Sequence, residues 1–236
     1  MKILALDSTA KTASVSITDD EKLITVYSVT AGLNHSETLL PMVENALKTA
    51  QMTIDDMDMF AISDGPGSFT GVRIGVSLLK GLAFGKEKLC VGISTLEGLA
   101  QNLNGFCGII CPLMDARRDQ VYNALFESDG KSITRLCDDR AISLSELETE
   151  LAGLKSEGKR IYLCGDGYGI AKAKFESITE ETPVLLREQN AYSVALCALK
   201  KYSENKDAVY TDRELKPTYL RVPQAERERL ERLNNN

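Results

Sequence analysis

The stretch Phe60–Gly85, FAISDGPGSFTGVRIGVSLLKGLAFG, constrains this chain more than any other. A short apolar run, Met59–Ile62, has the length and composition of a buried strand. Ser63-Asp64-Gly65-Pro66-Gly67 then makes a turn, and a helical pattern of about five turns follows. Gly65 and Gly67 let the backbone bend tightly, Pro66 fixes φ between them, and Ser68 or Thr70 can cap the first helical amides. A strand, a glycine turn and a helix N-terminus can together hold an anion on backbone N–H groups. Gly67 and Ser68 are therefore candidate anion contacts. The stretch is not a P-loop, because no Gly-Lys-Ser/Thr follows, and not GxGxxG, because the third glycine, Gly71, falls one position late.

The helix carries Gly71, Gly75, Leu78 and Leu82 on one face. Interior glycine costs up to ~1 kcal/mol against alanine, so two on one face indicate that another backbone comes close. That neighbour is either an element of the same chain or a helix of a partner chain.

With 236 residues the chain can bury a large core in one or two domains. A net charge of −6 argues against this chain alone wrapping a phosphate backbone. No apolar run reaches the ~18 residues of a membrane span, and Met1-Lys2 leads straight into a strand, so a cytoplasmic protein is expected. The six cysteines include no CxxC pair and read as reduced core residues.

Before the central stretch, Lys2–Leu6, Ala13–Ile17 and Leu23–Val29 read as three antiparallel strands, and a helix starts near His35-Ser36. After it come a strand at Leu89–Ile93 and a helix at Thr95–Asn102, giving βββαβαβα. Near Asn104-Gly105 the pattern restarts. Gly108–Met114 delivers Asp115 to a turn as Lys2–Leu6 delivers Asp7, and Gln120–Glu127 returns. A helix from Ser143 or Ser145, a strand Arg160–Cys164, the turn Gly165-Asp166-Gly167, a helix near Ile170–Phe175, a strand Pro183–Leu186 and a helix Ala191–Tyr202 complete a second α/β unit. The reading is a degenerate duplication: an N-terminal lobe over 1–104, a smaller C-terminal lobe over 105–222, and a charged tail over 223–236 gripped by Leu230 and Leu233.

His35 is the only histidine, so a two-histidine metal site is impossible and any Ser-His-Asp or Cys-His site would have to use it. Asp7, beside Ser8 and Thr9, and Asp115 in the second unit could face a metal-bound nucleotide phosphate; equally, each could cap the amides of its own turn. A kinase-like first hairpin would want glycine where Ser8 stands. Arg73 and Arg117 are candidate anion contacts or surface ion pairs.

The chain resembles the TsaB (YeaZ) family of the tRNA threonylcarbamoyladenosine (t6A) machinery. The resemblance is carried by Leu4-Ala-Leu-Asp-Ser-Thr9, His35-Ser36 with Leu39-Leu40-Pro41, Gly65-Pro-Gly-Ser-Phe-Thr-Gly71 with Arg73-Ile-Gly75, Lys80-Gly-Leu-Ala83, Met114-Asp-Ala-Arg117 with Val121-Tyr122, and Pro217 with Tyr219-Leu-Arg221. It implies a two-lobed actin/sugar-kinase/Hsp70-like (ribonuclease H-like) α/β fold. It also implies a non-catalytic relative of TsaD that pairs with TsaD through the first lobe, is joined by the ATPase TsaE, pairs with itself when alone, and meets tRNA only through the complex. TsaD carries a metal-binding HxxxH motif; here His35 stands alone and position 39 is Leu. The expected pairing surface is a helix bundle built from Leu39, Val43, Ala46, Gly71, Gly75, Leu78 and Leu82. On that expectation Gly75→Leu breaks pairing and leaves the chain folded. No cofactor is assigned; ATP or ADP with Mg²⁺, at the cleft or at the subunit boundary, is the candidate, and an independent ATP-dependent phosphotransferase is the competing function.

Overall fold

The computed structural model describes residues 1–221; the expected charged tail and its Leu230 and Leu233 lie outside the described residues. β1 (Lys2–Asp7), β2 (Ala13–Asp19) and β3 (Lys22–Val29) form an antiparallel meander. α1 (His35–Ala50) leads to β4 (Met59–Gly65), then α2 (Phe69–Ala83), β5 (Leu89–Ser94) and α3 (Thr95–Gln101). β4 joins β1 in parallel and β5 joins β4, giving the order β3-β2-β1-β4-β5. β1 is apolar on both faces because both are covered. Leu4 and Leu6 face the α1–α2 layer, with Leu39, Val43, Val76 and Leu79, while Ile3 and Ala5 face the opposite layer.

The pattern recurs. β6 (Cys107–Asp115) is followed by β7 (Gln120–Asn123) and β8 (Phe126–Asp129), which run along it in a single register from Asp115↔Val121 to Cys107↔Asp129. They are one strand in two pieces, interrupted opposite Cys111-Pro112, where proline has no N–H to donate. β9 (Ile133–Arg135) and β10 (Arg140–Ser143) continue the meander on β8 and β7. α4 (Leu144–Ser156) starts at a capping box between Ser143 and Glu146, and β11 (Ile161–Cys164) joins β6 in parallel. α5 (Tyr168–Phe175) and α6 (Ala191–Glu204) follow. Two βββαβα units, each with its parallel strand beside the first strand of the meander, make the duplicated two-lobed actin/sugar-kinase-like architecture.

Two helices cross between the units. α3 and the turn after it leave the first sheet and cover the second, setting Leu96, Leu99 and Leu103 against Ile110, Met114 and Phe126. α6 returns from the second half and covers the first, setting Val194 and Ala198 against Ile3, Met59 and Ile93. Pro183–Leu186, expected as a strand, is a short 3₁₀ turn over Val184–Leu186. The apolar run misled the pattern, because the segment beside β11 pairs with it only through a single bridge, Tyr162↔Glu180. Five of the cysteines are buried or half-buried as expected, and Cys107 is exposed. Among the described residues no helix is long and apolar enough to cross a membrane.

Candidate functional site

A cleft of about 540 Å³ opens where the strand-end turns of the two units face each other. Its lining includes Lys11 from the β1–β2 turn, Gly67 and Ser68 at the start of α2, Asp115 and Arg117 from the β6–β7 turn, and Asp166 from the β11–α5 turn. Tyr219 and Arg221, from the extended segment after α6, close one side. The expected anion contacts Gly67, Ser68 and Asp115 are thus brought together.

Asp7, Ser8 and Thr9 are not open to the cleft, a correction to their expected role as nucleotide contacts. All three are buried. Thr9 donates to Asp7 Oδ1 from N–H at 2.9 Å and from Oγ at 2.7 Å, and Ser63 Oγ donates to Asp7 Oδ2 at 2.5 Å. Both carboxylate oxygens are therefore taken inside the fold. Burial pushes the Asp7 carboxyl up, against the lowering effect of the Ser63 and Thr9 bonds. Ser8 Oγ donates to Gly71 O at 2.9 Å, which locks the β1–β2 turn onto α2. A metal-bound nucleotide phosphate needs an outward carboxylate oxygen and free amides at this hairpin, and the residues present do not fit that demand.

The second aspartate turn is similar. Arg117 N–H donates to Asp115 Oδ1 at 2.7 Å, so the carboxylate caps its own turn. Asp115 N–H in turn donates to Asp166 Oδ1 at 3.0 Å. Burial raises the Asp166 pKa to about 6. Sequence reasoning read Gly165-Asp166-Gly167 as a turn; the carboxylate's tie to the β6 end is nonlocal and leaves no sequence signal. Asp64, near the end of β4, lies outside the cleft lining: burial raises its pKa to about 7, and it accepts from Thr218 Oγ at 3.3 Å. Arg73 lies outside the cleft lining. Its guanidinium stacks 3.8 Å from the Phe69 ring centre, and its Nε donates to Tyr219 Oη at 2.8 Å. His35 begins α1 after the Asn34 cap, and its Nε2 meets Ala10 O at 2.6 Å. With the proton on Nε2, Nδ1 is buried without a partner. Among the described residues no three His, Cys, Asp or Glu side chains converge as a metal-ligand set.

The expected helix-bundle surface separates into two sets. Leu39, Val43 and Ala46 are buried in the core of the first unit. Gly71 and Gly75 are also buried, because each lies against the β1–β2 turn of its own chain. A Cβ on Gly71 would sit 2.1 Å from Ser8 O, and one on Gly75 would sit 2.3 Å from Ser8 Oγ and 3.0 Å from Ile62 Cδ1. These five are corrected from partner surface to core. Leu78 and Leu82 are half-buried. With Ile74 they flank the exposed small residues Ser77 and Gly81, and Phe84 is 74% exposed at the end of the helix. Leu40 of α1 is 42% exposed.

A sequence model described as "TsaD: tRNA N6-adenosine threonylcarbamoyltransferase" matches residues 26–229. The chain is 31% identical over 228 residues to the tRNA threonylcarbamoyladenosine biosynthesis protein TsaB of Bacillus subtilis (strain 168), covering 96% of each. The chain belongs to the TsaB family. It is also 28% identical over 178 residues to the tRNA N6-adenosine threonylcarbamoyltransferase of Kosmotoga olearia, covering 67% of this chain and 54% of that protein. TsaB and the transferase are thus related families, as the matching sequence model requires. In fold, the chain superposes on YeaZ from Pseudomonas aeruginosa with a TM-score of 0.72 at 21% identity, covering 93% of this chain and 99% of that one.

Proposed function

We propose that this chain is a non-catalytic subunit that pairs with and activates a TsaD-type transferase for t6A formation at adenosine 37 of tRNAs reading ANN codons. The full-length similarity to a protein named for tRNA threonylcarbamoyladenosine biosynthesis carries the pathway. Two features of the molecule support the role. The first aspartate turn, where a kinase-like relative would hold a nucleotide phosphate, is closed by internal bonds to Asp7. The outward side of α2 keeps half-buried Ile74, Leu78 and Leu82 around Ser77 and Gly81, a strip narrow enough for another helix to approach. On this reading the first lobe docks TsaD, TsaE joins the pair, and the lone chain self-associates through the same strip. The work is done in the cytoplasm, and with a net charge of −6 the chain meets tRNA through the complex.

Reconstitution tests the reading: TsaD, TsaE, threonylcarbamoyl-adenylate and tRNA, with and without this chain. Modification should require the chain, and undiminished modification in its absence would refute the role. ATP turnover by the lone chain, lost in an Asp7→Ala variant that keeps its fold, would establish the phosphotransferase instead. Repeating the pairing measurement with added ADP or ATP and Mg²⁺ tests for a nucleotide at the subunit boundary.

A further inference from the structure

Over the described residues, the segment that follows α6 does not trail away; it runs back across the first unit and reaches the second at Arg221. Tyr210 exchanges backbone hydrogen bonds with Cys90 at 2.7 and 2.8 Å. Leu215 is buried in the α1–α2 core, and Lys80 Nζ donates to its carbonyl at 3.1 Å. Thr218 N–H then donates to Asp64 O at 2.8 Å. Its carbonyl lies 2.2 Å from where a Gly65 Cβ would stand, so this approach requires glycine at 65, where φ is +129°. The Tyr219 ring packs 5.0 Å from that of Phe69, and its hydroxyl accepts from Arg73. Two residues on, Arg221 grips the other unit. It donates to Ala116 O at 3.2 Å and to Gln120 Oε1, and its guanidinium faces the Tyr122 ring at 5.7 Å.

The three residue steps from Thr218 to Arg221 therefore span the cleft with one end on each lobe. An extended run of that length reaches only ~10 Å, so the lobes cannot separate at this point while both ends hold. The two ends differ in kind. The first-lobe end is anchored by a backbone bond, a ring stack and the buried Leu215, whereas among the described residues the second-lobe end rests on one arginine side chain.

We propose that Thr218–Arg221 is a clamp that latches the two lobes across the cleft, with Arg221 as the releasable catch. Release of Arg221 frees the β6–β7 turn and lets the cleft open, while the first-lobe anchor stays in place. The inference concerns the lone chain and does not rest on the pairing with TsaD.

The test is carried out on the full chain and on Arg221→Met, which keeps the apolar stem and removes the donors. The amides of Ala116 and Gln120, bonded to Gln120 O and Arg117 O, should exchange with solvent about tenfold faster in Arg221→Met, while amides of β1 and β4 keep their protection. In a Cys107→Ser background, nitroxide labels at Lys11→Cys and Arg118→Cys should report a distribution shifted to longer distance once Arg221 is replaced. A chain ending at Pro217 should behave as Arg221→Met does, and a chain ending at Arg221 should match the parent. If the chain ending at Pro217 loses β1 and β4 protection, the point substitution alone decides. An unchanged label distance in Arg221→Met overturns the proposal even where local exchange rises, because Arg221 then braces only its own hairpin.

Discussion

Asp7 and Asp64 end neighbouring strands of the first sheet, and burial raises the pKa of both. Their surroundings make them different instruments. Asp7 organises the β1–β2 turn, and Asp7→Ala would leave Ser63 Oγ and the Thr9 N–H buried without their acceptor. The expected loss is about 2–3 kcal/mol of stability, read as a lower urea midpoint, so any loss of activity in that variant must be compared with a folded control. Asp64 is a proton-linked group. Its folded pKa of about 7 lies above the ordinary value of 3.8, so the folded state holds the proton more tightly than the unfolded chain. The resulting stability is fully present below the unfolded value and is lost as pH rises through about 7. Lys201 opposes the shift and Asp139 adds to it. Urea unfolding should show stability falling between pH 5 and pH 8, by no more than about 3 kcal/mol at 1.36 kcal/mol per unit, and Asp64→Asn should flatten the fall. An equal fall in the variant would show that another group sets the dependence.

At the scale of the element, α2 presents glycine on two sides for two reasons. The inner pair, Gly71 and Gly75, lets the helix lie against the β1–β2 turn, whereas a Cβ on Gly81 would meet nothing within 4 Å. Gly75→Leu is therefore expected to destabilise the isolated chain by at least 2 kcal/mol, about the cost of overpacking a tight core, and so cannot isolate pairing. Gly81→Leu does isolate it. The isolated chain should keep its fold and gain about 0.5–1 kcal/mol from relief of an interior helical glycine. Co-purification with TsaD should nevertheless fall, because the added side chain fills the outward strip. Retained pairing in Gly81→Leu would remove α2's outer side from the interface. The sequence made the helix and its two-sided glycine pattern readable, because spacing and composition are local. It could not say which side meets the same chain, since that depends on Ser8, sixty-three residues before Gly71. The same limit explains the other differences. β9 and β10 are short and polar and exist through pairing with β8 and β7. Tyr219 and Arg221 were visible in the sequence only as parts of a resemblance, and their place on the cleft is fixed by partners more than a hundred residues away.

At the scale of the molecule, the duplication is not a pair of separable halves. Chain order places a boundary near Asn104, between α3 and β6, yet each unit borrows a covering helix from the other side of that boundary. A fragment of residues 1–104 keeps all five strands of the first sheet and loses α6. Ile3, Met59, Val91 and Ile93, all buried in the whole chain, would then face water. At about 1.5–3 kcal/mol for each large apolar side chain, the loss is roughly 6–12 kcal/mol, comparable with the ~5–15 kcal/mol that stabilises a whole domain. The fragment should accordingly show no cooperative thermal transition, and the full chain should unfold in one step seen alike by far-ultraviolet circular dichroism and by tyrosine fluorescence. Two resolved transitions in the full chain, or a folded 1–104 fragment, would mean that the crossed helices contribute less than their contacts imply. A single transition has a consequence for the cleft. Lobes that share their covering helices stay joined there and can part only at the turns facing each other across the cleft, which is where Asp115, Asp166 and Arg221 lie.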